Sequence, residues 1–251
     1  MSGAGNDFAV LDVRGRSVDL SGIAVALCKL LKADGLMAAD VSASADFRLH
    51  FYNADGSRGE MCGNGARCLC RFAYENGLAG EEMTVETDAG LVHGQRLEES
   101  RYRIRLNEPG VLDLHRKGDV AYVELGSPGV PHGVWEVPEL QWEDRERLRA
   151  EAVALRHDPA FPKGANINLF RQLDGQTVRI LTYERYVEDY TLACGTGSAS
   201  VALVLRALNR LDGNTVTLQN PGGNLTVTLE GDTPYLEGET EIVSKSELSL
   251  C

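Results

Sequence analysis

Positive charge is what this chain lacks most. Its 251 residues carry 25 Lys and Arg against 37 Asp and Glu, a formal net charge of −12. Nucleic acid and anionic lipid both need a cationic footprint, so neither is expected as a partner. No apolar run approaches the roughly 20 residues that a membrane span requires. The opening MSGAGNDFAVLDV has no basic segment followed by an apolar core, so no secretory signal is expected and a cytoplasmic, reducing location is. The five His are scattered singly, and the six Cys (Cys28, Cys62, Cys68, Cys70, Cys194, Cys251) contain no Cys-x-x-Cys spacing. That speaks against a zinc site, and so few cysteines in so long a chain are no disulfide scaffold. No metal is expected. Gly3-Ala4-Gly5 has neither a preceding strand nor a following Gly-Lys-Ser/Thr, which argues against a phosphate loop.

What is present is duplication. The stretch FYNADGSRGEMCGNGARCLCRFAYEN, Phe51 to Asn76, reads as a strand, a Gly-rich turn and a helix that follows Cys62. TYERYVEDYTLACGTGSASVALVLRALN, Thr182 to Asn209, says nearly the same again, with Cys62-Gly63-Asn64-Gly65 over Cys194-Gly195-Thr196-Gly197. An apolar stripe runs through Ala66, Leu69, Cys70 and Ala73 in one copy and Val201, Val204, Leu205 and Leu208 in the other. GNDFAVLDV, from Gly5, is echoed by GVPHGVWEV, from Gly129.

Around these units the pattern predicts a helix capped by Ser21, strands near 46–53, 83–87, 91–96 and 102–106, and a breaker at Asn107-Glu108-Pro109-Gly110. Beyond it come strands near 121–125, 129–137, 167–170, 177–182, 215–218 and 224–229. One helix is expected over Trp142 to Leu155, and Asp212-Gly213 is expected to end the Cys194 helix. The period is half the chain, so the fold expected is α/β (α+β) with two pseudo-symmetric tandem domains, 1–107 and 108–240. The tail 241–251 falls outside the second copy and is expected to pack on the first domain.

A cysteine just before a helix faces unpaired backbone N–H groups and the positive end of the helix dipole. Both are expected to lower its pKa from about 8.5. The N–H groups of Gly63 and Asn64, and of Gly195 and Thr196, suit a carboxylate. If both cysteines face one substrate α-carbon, a thiolate removes the proton from one face and a thiol returns one to the other. Inversion follows, with the two sulfurs titrating as a coupled pair. No Lys or metal motif suggests a cofactor, so none is expected. The expected partner is a small amino-acid substrate.

With GNDF (5–8), NADGS (53–57), MCGNGARC (61–68), YER (183–185) and LACGTGSA (192–199), the chain resembles the diaminopimelate epimerase family over nearly its whole length. The resemblance implies a cofactor-independent two-base epimerase, usually a homodimer, with its site in a cleft between pseudo-symmetric domains. It would interconvert LL- and meso-2,6-diaminopimelate for lysine and peptidoglycan synthesis. It makes Cys62 and Cys194 the catalytic cysteines and Gly63, Asn64, Gly195 and Thr196 the α-carboxylate cradle. Asn6, Asn53, Asn166, Glu184 and Arg185 match substrate-binding positions, and His132 matches the His of the family's Gly-Asn-Pro-His motif. Three residues depart from the pattern. Val130 stands where that motif has Asn, Tyr186 where glycine commonly follows Tyr-Glu-Arg, and Tyr190 where an acidic residue is often found. Val130 keeps open a racemase of another amino acid, such as histidine or lysine. A thiol-redox or binding protein is the remaining alternative.

Overall fold

The structure is a computed structural model that describes residues 1–59, 62–88, 90–127 and 129–246. Met61 of the cysteine motif and residues 247–251 of the tail lie outside the described residues. The chain divides into two compact units, Met1–Ile104 with Gly238–Cys251, and Arg105–Glu237.

The first unit begins with β1 (Ser2–Gly3) and β2 (Asn6–Asp12), a tight antiparallel pair. Helix α1 (Leu20–Leu31) carries the chain to β3 (Gly35–Asp40), which lies parallel to β2. Parallel neighbours need such a crossover, because a two-residue turn can join only antiparallel strands. β4 (Phe47–Asn53) returns antiparallel to β3 and is followed by the short β5 (Arg58–Gly59). Helix α2 (Gly63–Glu75) makes a second crossover to β6 (Glu82–Thr87), parallel to β4. β7 (Gly90–Arg96) and β8 (Arg101–Arg105) close the unit as an antiparallel meander. Leu36, Met37, Phe47, Leu49, Leu69 and Ile104 are buried in it.

The second unit repeats this order. β9 (Pro109–Lys117) and β10 (Val120–Gly126) lead antiparallel into β11 (Gly129–Glu136). A 3₁₀ turn (Trp142–Arg145) and α3 (Arg149–Arg156) cross to β12 (Asn166–Asp174), parallel to β11. β13 (Thr177–Glu184) and the short β14 (Asp189–Thr191) precede α4 (Gly195–Ala207). That helix crosses to β15 (Thr215–Asn220), parallel to β13, and β16 (Gly223–Glu230) and β17 (Thr233–Glu239) complete the meander. Leu140, Phe161, Ile167, Leu169 and Tyr183 pack in one buried cluster here. Beyond β17 the chain bridges back within the first unit, where Glu241 and Ser2 exchange two backbone hydrogen bonds of 2.8 Å. Lys245 reaches Glu75 at 3.0 Å.

Four local expectations differ from what the chain does. Asp19, not Ser21, holds the N-cap of α1; Ser21 lies inside the helix and donates to the Gly56 carbonyl at 2.8 Å. The expected helix over 142–155 is broken, because Gln141 and Asp144 form a capping box around the 3₁₀ turn and α3 starts only after Leu148. α4 ends at Ala207, well before Asp212-Gly213, since Asn209 adopts a left-handed φ of 56° and Arg210 N–H returns to the Leu205 carbonyl. The breaker at 107–110 opens a strand, β9, that no alternation in its sequence announces.

Gly197 shows how closely α4 is packed. A Cβ there would fall 2.1 Å from Oδ1 of Asn168, a side chain with no exposure and with partners on every side. Overpacking of this kind costs about 1–3 kcal/mol. Gly197→Ala should therefore destabilise the protein by that amount in urea unfolding, and an unchanged midpoint would refute the packing argument.

Candidate active site

Cys62 is the N-cap of α2, in extended backbone at φ −124°, and the Ala66 N–H bonds its carbonyl at 2.8 Å. Asn64, buried one residue into the helix, donates from Nδ2 to Asn6 Oδ1 at 2.7 Å. Asn6 opens β2 and in turn donates to Asp34 at 3.2 Å, whose carboxylate also accepts the Asp7 N–H at 3.0 Å. At the other end, Arg67 Nη2 donates to Asn64 Oδ1 at 2.9 Å. A guanidinium only donates and a carboxylate only accepts, so this chain fixes the orientation of both amides. Asn53, the last residue of β4, instead turns to its own loop and donates to Ser57 Oγ at 2.9 Å. Gly63, the first helical residue, receives Arg67 Nη1 on its carbonyl at 3.3 Å.

Cys194 is the N-cap of α4 in the same backbone conformation, at φ −119°. Its Sγ accepts the Gly197 N–H at 3.4 Å and lies 3.6 Å from Thr196 Oγ1. Gly195 and Thr196 form the first turn behind it. Glu184 ends β13, partly buried against Cys194 and Thr191. Asn166 starts β12 beside His132 in parallel register, and its Oδ1 accepts the Arg185 N–H at 2.8 Å. The Arg185 side chain donates to the Lys163 carbonyl at 2.9 Å, so Glu184 and Arg185 are not a surface ion pair with each other. Tyr186 follows at φ 73°, in the left-handed region that glycine favours. The bulky residue costs about 1–2 kcal/mol there. Its ring, 4.5 Å from the Arg185 guanidinium, recovers about 0.5–1 kcal/mol as a cation–π contact at an exposed site.

His132 is a buried strand residue. Asn168 Nδ2 lies 3.1 Å from its Nδ1 and also donates to the Gly133 and Asn166 carbonyls, while Asn168 Oδ1 accepts from Thr182. Two carbonyls can only accept, so the amide orientation is fixed and the His132 proton is assigned to Nε2. That nitrogen is buried without a partner among the described residues. Burial, helped by the charge of Arg185, pulls the His132 pKa down to about 3, so the ring is neutral at any working pH. Val130, two residues earlier in the same strand, is 37% exposed and offers only methyl groups.

Both thiols were expected to be acidified by their helices, and Cys194 is not. Burial pushes its pKa well above the ordinary value, and the Glu184 carboxylate raises it further. The Thr196 hydroxyl and Gly197 N–H act in the opposite direction and lose. Glu184 is itself pushed up by burial. Sequence reasoning passed over Asn168, Asp34 and Arg67; the last carried a usable signal, a lone charge inside the cysteine motif and beside the apolar stripe. Glu184→Gln removes the anion beside Cys194, so it should move that thiol's alkylation-against-pH curve to lower pH. A curve that stays put, or moves up, would sink this assignment.

The diaminopimelate epimerase family profile matches residues 1–106 and 126–243. A diaminopimelate epimerase of Archaeoglobus fulgidus is 34% identical over all of this chain and 95% of its own length. One from Hydrogenobaculum sp. is 35% identical over 98% of this chain and 96% of its own. Among solved structures, a Bacillus anthracis phenazine biosynthesis protein of the PhzF family superposes with a TM-score of 0.70 at 14% identity, covering 95% of this chain and 92% of that one. A hydroxyproline epimerase from Agrobacterium vitis reaches 0.58 at 17% identity, over 82% and 73%. At those identities the likeness is one of fold. The two sequence matches, each spanning nearly the whole of both chains, carry more: this chain belongs to the diaminopimelate epimerase family and is an isomerase.

Proposed function

We propose that the chain interconverts LL- and meso-2,6-diaminopimelate, with Cys62 and Cys194 as the two proton carriers. The observation that carries this reading is the matched pair of cysteines, each at the N-cap of a crossover helix, with one of them held as a neutral thiol. A thiol that stays protonated is a proton donor in waiting. The opposite sulfur, as thiolate, takes the α-proton from one face, and Cys194 delivers a proton to the other. The reverse direction exchanges the roles. The electron pair left on the α-carbon delocalises into the substrate carboxylate, and the N–H groups of Gly63, Asn64, Gly195 and Thr196 would hold the resulting negative oxygens. Fixed donors of this kind stabilise charge as it develops without reorganising. Asn6, Asn166, Arg185 and the Nε2–H of His132 are donors available to the substrate's carboxylates, and Glu184 is available to its amino group. Asn53 would join them by releasing Ser57.

Lysine and peptidoglycan synthesis is the setting this reading gives the enzyme, and a cytoplasmic homodimer is its working form. No helix among the described residues is long and apolar enough to cross a membrane. A second reading rests on Val130. A racemase acting on another amino acid would use the same sulfurs with a different distal group.

Incorporation of deuterium at the α-carbon in D₂O separates these readings, with diaminopimelate, histidine, lysine and lanthionine as substrates. Diaminopimelate should exchange fastest. Exchange no faster than in buffer would end the first reading, and preference for another amino acid would establish the second. Cys62→Ser and Cys194→Ser should each lower turnover by about 10²–10⁴, the usual worth of a positioned acid or base, with far-UV circular dichroism unchanged. Retention of turnover by either variant would leave the two-thiol mechanism without support.

A further inference from the structure

Arg67 presents an electrostatic problem that the mechanism does not yet use. Its side chain has 0% exposure and sits in the second turn of α2, toward the positive end of the helix dipole. Among the described residues no carboxylate pairs with it. Among those residues its two terminal nitrogens reach only Gly63 O and Asn64 Oδ1, and its Nε has no acceptor. A buried guanidinium stays protonated and is strongly unfavourable unless an anion balances it.

The surrounding charged groups narrow the choice of that anion. On the strands packed against α2, Asp7 and His93 are exposed, Asp12 is paired with Arg14, Asp40 lies against His50, and Arg96 is paired with Glu81. The amino terminus, bonded to the Phe8 carbonyl, is a second cation, and Arg71 on α2 is a third, paired with Glu75. Asp34 is reached only through Asn64 and Asn6, two amides away. Three thiols lie within electrostatic reach of Arg67: Cys68, Cys62 and Cys70. Burial pushes Cys68 and Cys70 each up to about 12, so both stay neutral. Cys62 is left. It is the least buried of the three, and its neighbour Gly63 already receives Arg67.

The internal repeat sharpens this point. The position of Arg67 in α2 is that of Ala199 in α4, a buried methyl group. The position of Asn53 at the end of β4 is that of Glu184 at the end of β13. One copy of the unit therefore has a buried cation in its cysteine helix and a neutral amide at the end of the preceding long strand, and the other has a methyl and a carboxyl at those positions.

We infer that Arg67 is a positioning residue that holds Cys62 as the thiolate of the resting enzyme, serving as its buried counter-charge. The inference takes its catalytic meaning from the proposed epimerase mechanism, but its test does not depend on it. Iodoacetamide alkylation of the full chain, followed against pH with each adduct assigned by peptide mapping, reads the ionisation of Cys62 directly. In the wild type the Cys62 midpoint should fall at least one pH unit below the ordinary thiol value of about 8.5. Arg67→Met should move it upward, so that the Cys62 rate at pH 7 drops roughly tenfold or more, one pH unit being a factor of ten. Arg67→Lys, which keeps the charge, should restore most of that rate, and the Cys194 curve should stay where it was. A wild-type midpoint at or above 8.5, or a folded Arg67→Met protein with the wild-type Cys62 curve, would overturn the inference. Where Arg67→Met fails to keep its circular dichroism, the wild-type midpoint decides alone. Absence of α-proton exchange by the wild type would instead remove the epimerase reading and leave this titration standing.

Discussion

A sulfur at the mouth of a helix is pulled two ways, and the rest of the site follows from how that contest is decided. Unpaired N–H groups and the helix dipole favour thiolate, while burial favours thiol. The fold creates the position twice, because each unit needs a helical crossover between β4 and β6 or between β13 and β15, and each crossover helix begins at a cysteine. Geometry alone therefore does not give the two sulfurs different states. The residues around them must. At Cys194 burial and Glu184 outweigh the Gly197 N–H, and the thiol keeps its proton. Around α2 the dominant buried charge has the opposite sign. A pair of thiols that began in the same state would have either no base or no acid.

Much of this was legible in the sequence because it is local. The Cys-Gly-x-Gly turns and the apolar stripes behind them identify both helices, and the echo of GNDFAVLDV in GVPHGVWEV matches two strands that each run parallel to the next strand but one helix later. Burial was not legible. Asn168 reads as one polar residue in a strand, yet with no exposure it fixes the tautomer of His132 through Thr182, fourteen residues further along the chain. Arg67 reads as a lone charge beside the apolar stripe, and its full enclosure comes from the packing of β1, β2, β3 and β7 on α2. The acidification expected of both cysteines failed for the same reason at Cys194: a helix terminus can be seen in a sequence, but the desolvation that overrides it cannot. Tyr186 was visible as a departure, although not as a residue held at φ 73° where the family's glycine needs no strain.

The departure at Val130 bears on a different part of the problem. By the internal repeat Val130 occupies in β11 the place that Asn6 occupies in β2, two residues before the positions of Phe8 and His132. In the first unit that amide belongs to a relay ending on Arg67, so replacing it would remove the 2.7 Å bond from Asn64 Nδ2 to Asn6 Oδ1. In the second unit Thr196 stands where Asn64 stands in the first, and it turns to Cys194 rather than to β11. Val130 therefore breaks no internal network. On the proposed mechanism it would remove a donor and acceptor toward the substrate, and one such hydrogen bond is worth about 0.5–1.5 kcal/mol between neutral groups and more to a charged one. That is enough to reorder a preference among amino acids with different distal ends and far too little to account for proton transfer at the α-carbon. On the proposed mechanism the chemistry and the choice of substrate would thus rest on separate residues in this chain, with the sulfurs and their flanking charges setting the first and the face around Val130 setting part of the second.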